Sequence, residues 1–150
     1  MRPRAFSLIE LVLVIAIISV MAAVALPRFA AAAWRQRADS AARRIVADLD
    51  YARTRAAARS ATVTVTFNDK LHAYTLTGVP DIDRPADIYT VTLGDEPYRA
   101  SIVSVNIDGG KQVDFDGFGR PAAGGSVVIA AGQAQRTVTI DPSTGKASIE

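Results

Sequence analysis

Glu10 is the one ionisable side chain in the apolar run of residues 6–26, FSLIELVLVIAIISVMAAVAL. A carboxylate in lipid needs a cation or a proton beside it. In a bundle of like helices, the free amine at a neighbour's N-terminus could supply that cation. The other reading places Glu10 at headgroup depth, where it stays hydrated. No other set of residues organises a reaction. His72 is the only histidine and there is no cysteine, so no zinc cluster can be drawn. Asp108, Asp114 and Asp116 form one acidic group, and Asp81, Asp83 and Asp87 another. Either could hold calcium weakly, but neither has the spacing of a calcium loop; such groups read first as solvated loop charge. Nucleophile elbow, phosphate loop and dinucleotide fingerprint are all missing from the sequence. The expectation is a non-enzymatic protein with no cofactor and no metal.

The element that positions Glu10 is a helix. At about 1.5 Å per residue the apolar run spans roughly 30 Å, enough to cross a bilayer. Arg2 and Arg4 precede it and favour a cytoplasmic N-terminus, with the rest of the chain across the membrane. Residues 1–5 are too short, and the apolar block too long, for an ordinary secretory signal peptide. A cut after Ala23 or Ala25 would leave Glu10 unexplained. Pro27 is placed to kink the helix, because its ring removes one hydrogen bond and crowds the preceding turn.

Residues 29–59 contain neither glycine nor proline and are rich in Ala and Arg, both strong helix formers. Ala38, Ala42, Ile45, Leu49, Ala52 and Ala56 make one apolar stripe, widened by Val46. Asp39 and Arg43 are spaced as an i,i+4 pair. The expectation is one long helix beginning in the membrane; a membrane anchor followed by a separate helix is the alternative. From Ala61 the period falls to two. Val63, Val65 and Phe67 alternate with Thr62, Thr64 and Thr66, the pattern of a half-buried strand. Asn68-Asp69-Lys70 reads as a turn, residues 71–77 as the return strand with His72 in it, and residues 78–86 as loop. Further short strands are expected over 89–93, 99–107, 126–131, 136–140 and 146–149, with another beginning at Val113 and Phe115. Asp108-Gly109-Gly110-Lys111 reads as a hairpin-like turn. The fold class is α+β, a long N-terminal helix against a small antiparallel β head. The expected organisation is leader 1–5, membrane helix 6–27, stem 28–60 and β-rich head 61–150.

Charge is uneven along the chain. Residues 28–60 carry eight Arg against three Asp, while residues 61–150 carry seven basic and eleven acidic side chains. A basic stem and mildly acidic head could pack between subunits; the plainer reading is that the arginines keep an alanine-rich helix soluble. An acidic head is a poor nucleic-acid surface, so DNA contact through Arg120 and Arg136, with Lys111 and Lys146 as further candidates, is the weaker expectation.

A short basic leader, then Phe6-Ser7-Leu8-Ile9-Glu10 and an apolar run, resembles the type IV prepilins and pseudopilins. The resemblance implies cleavage between Ala5 and Phe6 by a membrane prepilin peptidase and methylation of the new Phe6 amine. It also implies a role for Glu10 in filament assembly, and Pro27 sits where many members carry a kinking proline. The leader ends in Ala5 where the family usually has Gly, which keeps open an unprocessed anchor retaining residues 1–5. Three stretches narrow the resemblance to the GspH/FimT branch: Leu-Asp-Tyr-Ala-Arg-Thr-Arg-Ala-Ala from Leu49, Phe115-Asp116-Gly117-Phe118-Gly119-Arg120-Pro121, and the closing Arg136-Thr137-Val138-Thr139-Ile140 with Gly145-Lys146-Ala147. The implied function is a minor subunit of a type II secretion pseudopilus in the bacterial inner membrane, with its head in the periplasm. The implied partners are other pseudopilins or pilins, the prepilin peptidase, the inner-membrane assembly platform and membrane lipid. A minor type IV pilin in pilus biogenesis or DNA uptake is the alternative.

Overall fold

The computed structural model describes residues 7–80 and 88–150. The expected leader, the Ala5-Phe6 bond and the acidic group Asp81, Asp83 and Asp87 lie outside the described residues. The chain divides into two compact units, Met1–Ala33 and Trp34–Glu150.

Helix α1 runs as one element over Leu8–Arg59, as the unbroken helix-forming composition of the stem predicts. It ends at Ser60, whose φ of 49° is left-handed. Ala61 N–H donates to Ala56 O at 3.2 Å and Ser60 N–H to Ala57 O at 3.3 Å. That pair of bonds is the Schellman arrangement, which satisfies the last carbonyls of the helix.

In the second unit the expected stripe is the buried face of α1. Ala38, Ala42, Ile45, Leu49, Ala52 and Ala56 are all essentially inaccessible, joined by Ala41. Small side chains let the helix backbone come close to the strands. The same buried cluster includes Val63, Val65, Leu76 and Phe115 from one set of strands and Val127, Ile129, Val138 and Ile140 from another.

The antiparallel head consists of two four-stranded sheets. The strands are β1 (Val63–Asn68), β2 (Ala73–Pro80), β3 (Ile88–Thr92), β4 (Ser101–Ile107), β5 (Gln112–Phe115), β6 (Gly125–Ala131), β7 (Ala134–Ile140) and β8 (Ala147–Ile149). One sheet has the order β3-β2-β1-β5 and the other β4-β6-β7-β8. The alternation in β1 is as read, with Val63, Val65 and Phe67 buried. The β1–β2 hairpin forms in the register Val65↔Leu76 and Phe67↔Tyr74.

Three expectations are corrected. The return strand begins at Ala73, because Leu71 and His72 belong to the turn; Asn68 Oδ1 accepts from the N–H groups of Lys70 and Leu71 at 3.0 Å, and His72 has φ 47°. The strand then runs on through Gly78 to Pro80, so the expected loop starts later; the β2–β3 register shifts between Leu76 and Pro80, an irregularity of the kind at which a missing N–H is tolerated. Finally, the Asp108-Gly109-Gly110 turn does not close a hairpin. Gly110 N–H donates to Ile107 O at 2.9 Å, but β4 pairs with β6 and β5 with β1, so the turn carries the chain from one sheet to the other.

Candidate functional site

The N-terminal unit presents an apolar surface that none of its described residues covers. Leu8, Ile9, Leu11, Val12, Leu13, Ile15, Ile17, Ile18, Val20 and Met21 are exposed. An 18-residue window here has a mean hydropathy of 2.8 with none of it buried. Ile9, Val12, Leu13, Ala16, Ile17, Val20 and Met21 line a shallow groove of about 590 Å³; their spacing of three and four residues puts them along one side of the helix. Ser19 does not interrupt this surface, because its hydroxyl donates to Ile15 O at 2.7 Å.

Glu10 lies in the first turn of α1 and is exposed. There the amide dipoles and unsatisfied N–H groups favour a negative charge, a local role beside the one that the membrane implies. The carboxylate thus has helix support on its own chain and an open side toward any neighbour. Pro27 falls within α1, which continues through it to Arg59.

In the head, the expected site residues serve the fold in different ways. Asp116 organises the Phe115-to-Pro121 turn. Its Oδ1 accepts from Phe118 N–H at 2.9 Å and Arg120 N–H at 2.8 Å, and its own N–H donates to Arg120 O at 2.9 Å. Arg120 therefore closes the turn with its backbone. Its side chain is exposed, with the guanidinium 5.8 Å from the centre of the exposed Phe118 ring. The two glycines have distinct reasons. A Cβ on Gly117 would lie 2.8 Å from the Ser60 carbonyl carbon, and Gly119 adopts φ +75° beside Arg53 O. The turn is thus fitted against the C-terminus of α1.

Arg136 reaches the stem: its Nε donates to Asp39 Oδ1 at 2.5 Å, and Nη1 donates to Gln135 O at 2.7 Å. Asp39 pairs with this distant strand residue rather than with Arg43, as its spacing had suggested. His72 Nδ1 accepts from Ile102 N–H at 3.3 Å, which ties the β1–β2 turn to β4. Asp114 accepts from the Thr64 hydroxyl at 2.5 Å across the β1–β5 pair. Among the described residues, no group of three His, Cys, Asp or Glu side chains could hold a metal.

Among the described residues, the buried charged side chain is one that sequence reasoning missed. Asp48 is 6 % exposed on the buried face of α1. Its Oδ2 accepts from Arg44 Nε at 3.0 Å and from the Tyr74 hydroxyl at 2.5 Å, and its Oδ1 accepts from the Tyr89 hydroxyl at 3.0 Å. Arg44 Nη2 also donates to the Tyr89 oxygen. A buried carboxylate is tolerable only when so supplied with donors. Burial, and next the Asp48 charge, push the Tyr74 phenol well above its usual range. The same causes push Tyr89 up to about 12. The network fixes the stem helix against β2 and β3 and leaves no open acid or base. Its sequence signal was a charged residue between Ile45 and Leu49 on the apolar stripe.

Residues 41–144 match the family described as type II transport protein GspH. Residues 1–26 match the prokaryotic N-terminal methylation motif. No curated protein matches. Two crystal structures of the type IV minor pilin FimU of Pseudomonas aeruginosa strain PAO1 are similar in fold. One aligns with a TM-score of 0.55 at 17% identity, covering 77% of this chain and 90% of FimU. The other, from a second crystal form, gives 0.52 at 16% identity, with 75% and 91% covered. The long helix, the antiparallel head and the match over residues 41–144 together place this chain in the GspH family of type IV pilin-like minor pilins and pseudopilins.

Proposed function

We propose that this chain is a minor structural subunit of a type II secretion pseudopilus. In this reading residues 1–5 are a leader, 6–27 the membrane and filament-core helix, 28–60 the stem and 61–150 the exported head. The observation that carries it is the exposed apolar surface from Leu8 to Met21, interrupted by one carboxylate, on a chain of the GspH family. The methylation-motif match over residues 1–26 supports the same reading.

Before assembly the helix sits in the inner membrane, with the head in the periplasm. A prepilin peptidase cuts between Ala5 and Phe6, and the new amine is methylated. In a filament the helix exchanges lipid for other helices, so association is driven by side-chain packing more than by the hydrophobic effect. Glu10 then pairs with the N-terminal amine of a neighbouring subunit. In so apolar a surface an unpaired carboxylate is costly, so the pair selects the correct axial register. The assembly platform and other pseudopilins are the partners of this step.

The test is to express Glu10→Gln and Glu10→Asp chains with the cognate secretion genes. Both should be cleaved. Glu10→Gln should be absent from sheared filaments, and Glu10→Asp should enter them in part. Equal incorporation of Glu10→Gln would remove Glu10 from assembly.

A second reading, a minor type IV pilin, is favoured by the fold likeness to FimU. Deleting the gene separates the two: lost protein secretion supports the pseudopilus, and lost twitching or DNA uptake supports the pilus. Arg120 is the better placed of the two expected DNA contacts, since Arg136 is engaged with Asp39.

A further inference from the structure

Strand β8 is the edge of its sheet, and the hydrogen bonds at its two ends determine which of its groups are unpaired. Glu150 and Thr137 exchange both backbone bonds, and Asp141 N–H donates to Lys146 O at 3.0 Å. The register pairs Val138 with Ile149, Thr139 with Ser148 and Ile140 with Ala147. Bonded pairs alternate along an antiparallel ladder. Ser148 therefore faces β7, and the N–H and C=O groups of Ala147 and Ile149 point away from it. An edge of this kind is a template for another strand.

This edge opens onto a groove of about 360 Å³ between β8 and α1. Val46, Ala47, Ala147 and Ile149 supply its apolar part, and Arg43, Arg53 and Lys146 its charge, opposed among the described residues by Asp50. Asp50 is already engaged by Arg53 at 2.8 Å. Arg43 and Lys146 are exposed and have no ion pair among the described residues. The groove is thus net cationic beside unpaired backbone.

From this juxtaposition we infer that the groove binds an extended acidic segment of another protein by adding it as a strand to β8. Main-chain bonds to Ala147 and Ile149 give the affinity, and the flanking cations choose the side chains. The matching segment carries carboxylates at positions i and i+4, which share one face of a strand, with a small apolar residue at i+2 over Val46 and Ala47. The inference does not depend on peptidase processing or on Glu10.

The probe is a fluorescent heptapeptide of alternating Thr with Glu, Val and Glu at its second, fourth and sixth positions. Its anisotropy is followed on titration with the full chain in detergent micelles. Saturable binding below about 1 mM is expected. A version with Lys for both Glu should not bind, and one with Pro at its third, fourth and fifth positions should lose binding, because those positions supply the donors that face β8 in either strand orientation. Arg43→Glu with Lys146→Glu should weaken the Glu peptide at least about tenfold and admit the Lys peptide. No saturation, equal binding of the Lys peptide, or indifference to Pro would overturn the proposal. So would displacement by a single-stranded oligonucleotide that binds the groove more tightly, since the occupant would then be a polyanion rather than a strand. Because the peptide is varied as well as the chain, the proposal stands or falls even where a variant chain fails to fold.

Discussion

Truncating Asp48 removes the acceptor shared by Arg44, Tyr74 and Tyr89. Arg44 is 40 % exposed and can turn to water, so the loss falls mainly on the two buried hydroxyls. Asp48→Ala is expected to cost about 2–3 kcal/mol, and Tyr74→Phe about 1–2 kcal/mol, in urea unfolding of the full chain in detergent. The same site sets a pH dependence. Both phenols have folded-state values raised above the ordinary 10.0, so the folded chain holds these protons more tightly than the unfolded chain. Their contribution is therefore complete below pH 10 and is lost as pH rises from there through the folded values. Unfolding midpoints measured from pH 8 to pH 12 should fall steeply above pH 10, and the fall should be shallower in Tyr74→Phe. At this scale the sequence was only partly legible. Glu10 announced itself by isolation in an apolar run. Asp48 did not, because its tyrosine partners lie 26 and 41 residues away in sequence, and only tertiary pairing makes a charge acceptable there.

The stem helix and the turn that meets its end behave as one element pair. Ser60 holds a left-handed φ of 49° at the helix C-terminus, a position where glycine has no Cβ penalty. Ser60→Gly should stabilise the chain by about 0.5–1 kcal/mol in the same unfolding assay. Gly117 approaches the Ser60 backbone on the other side, so Gly117→Ala should destabilise and should not be rescued by Ser60→Gly. Along the helix, Ala52 is fully buried in a stripe selected for small size. Ala52→Leu should overpack it at a cost of about 1–3 kcal/mol. These features follow from local pattern: the alanine stripe, the Val-Thr alternation of β1 and the glycine turn were all readable. The division into two sheets was not. Asp108-Gly109-Gly110 has the composition of a hairpin turn, and whether the following strand pairs with its predecessor or crosses to β1 depends on partners far along the chain. Residues 71 and 72 likewise look like strand by apolar content, but the Asn68 side chain extends the turn over them.

Over the whole molecule, one helix serves two environments. Its first part exposes aliphatic side chains from Leu8 to Met21, and from Ala38 onward it buries a stripe of small ones. The α+β class was legible because the hydrophobic period changes at Ala61 from helical to strand. The basic stem and acidic head were legible too, but which charges meet was not: Asp39 reaches Arg136 across 97 residues. The central claim is that the apolar N-terminal part is a processed filament helix and not a permanent anchor. The most direct measurement is the intact mass of the chain recovered from membranes, with and without its cognate prepilin peptidase. The account predicts a peptidase-dependent form beginning at methylated Phe6. Retention of residues 1–5 with an active cognate peptidase would contradict it and leave a membrane-anchored protein that never enters a filament.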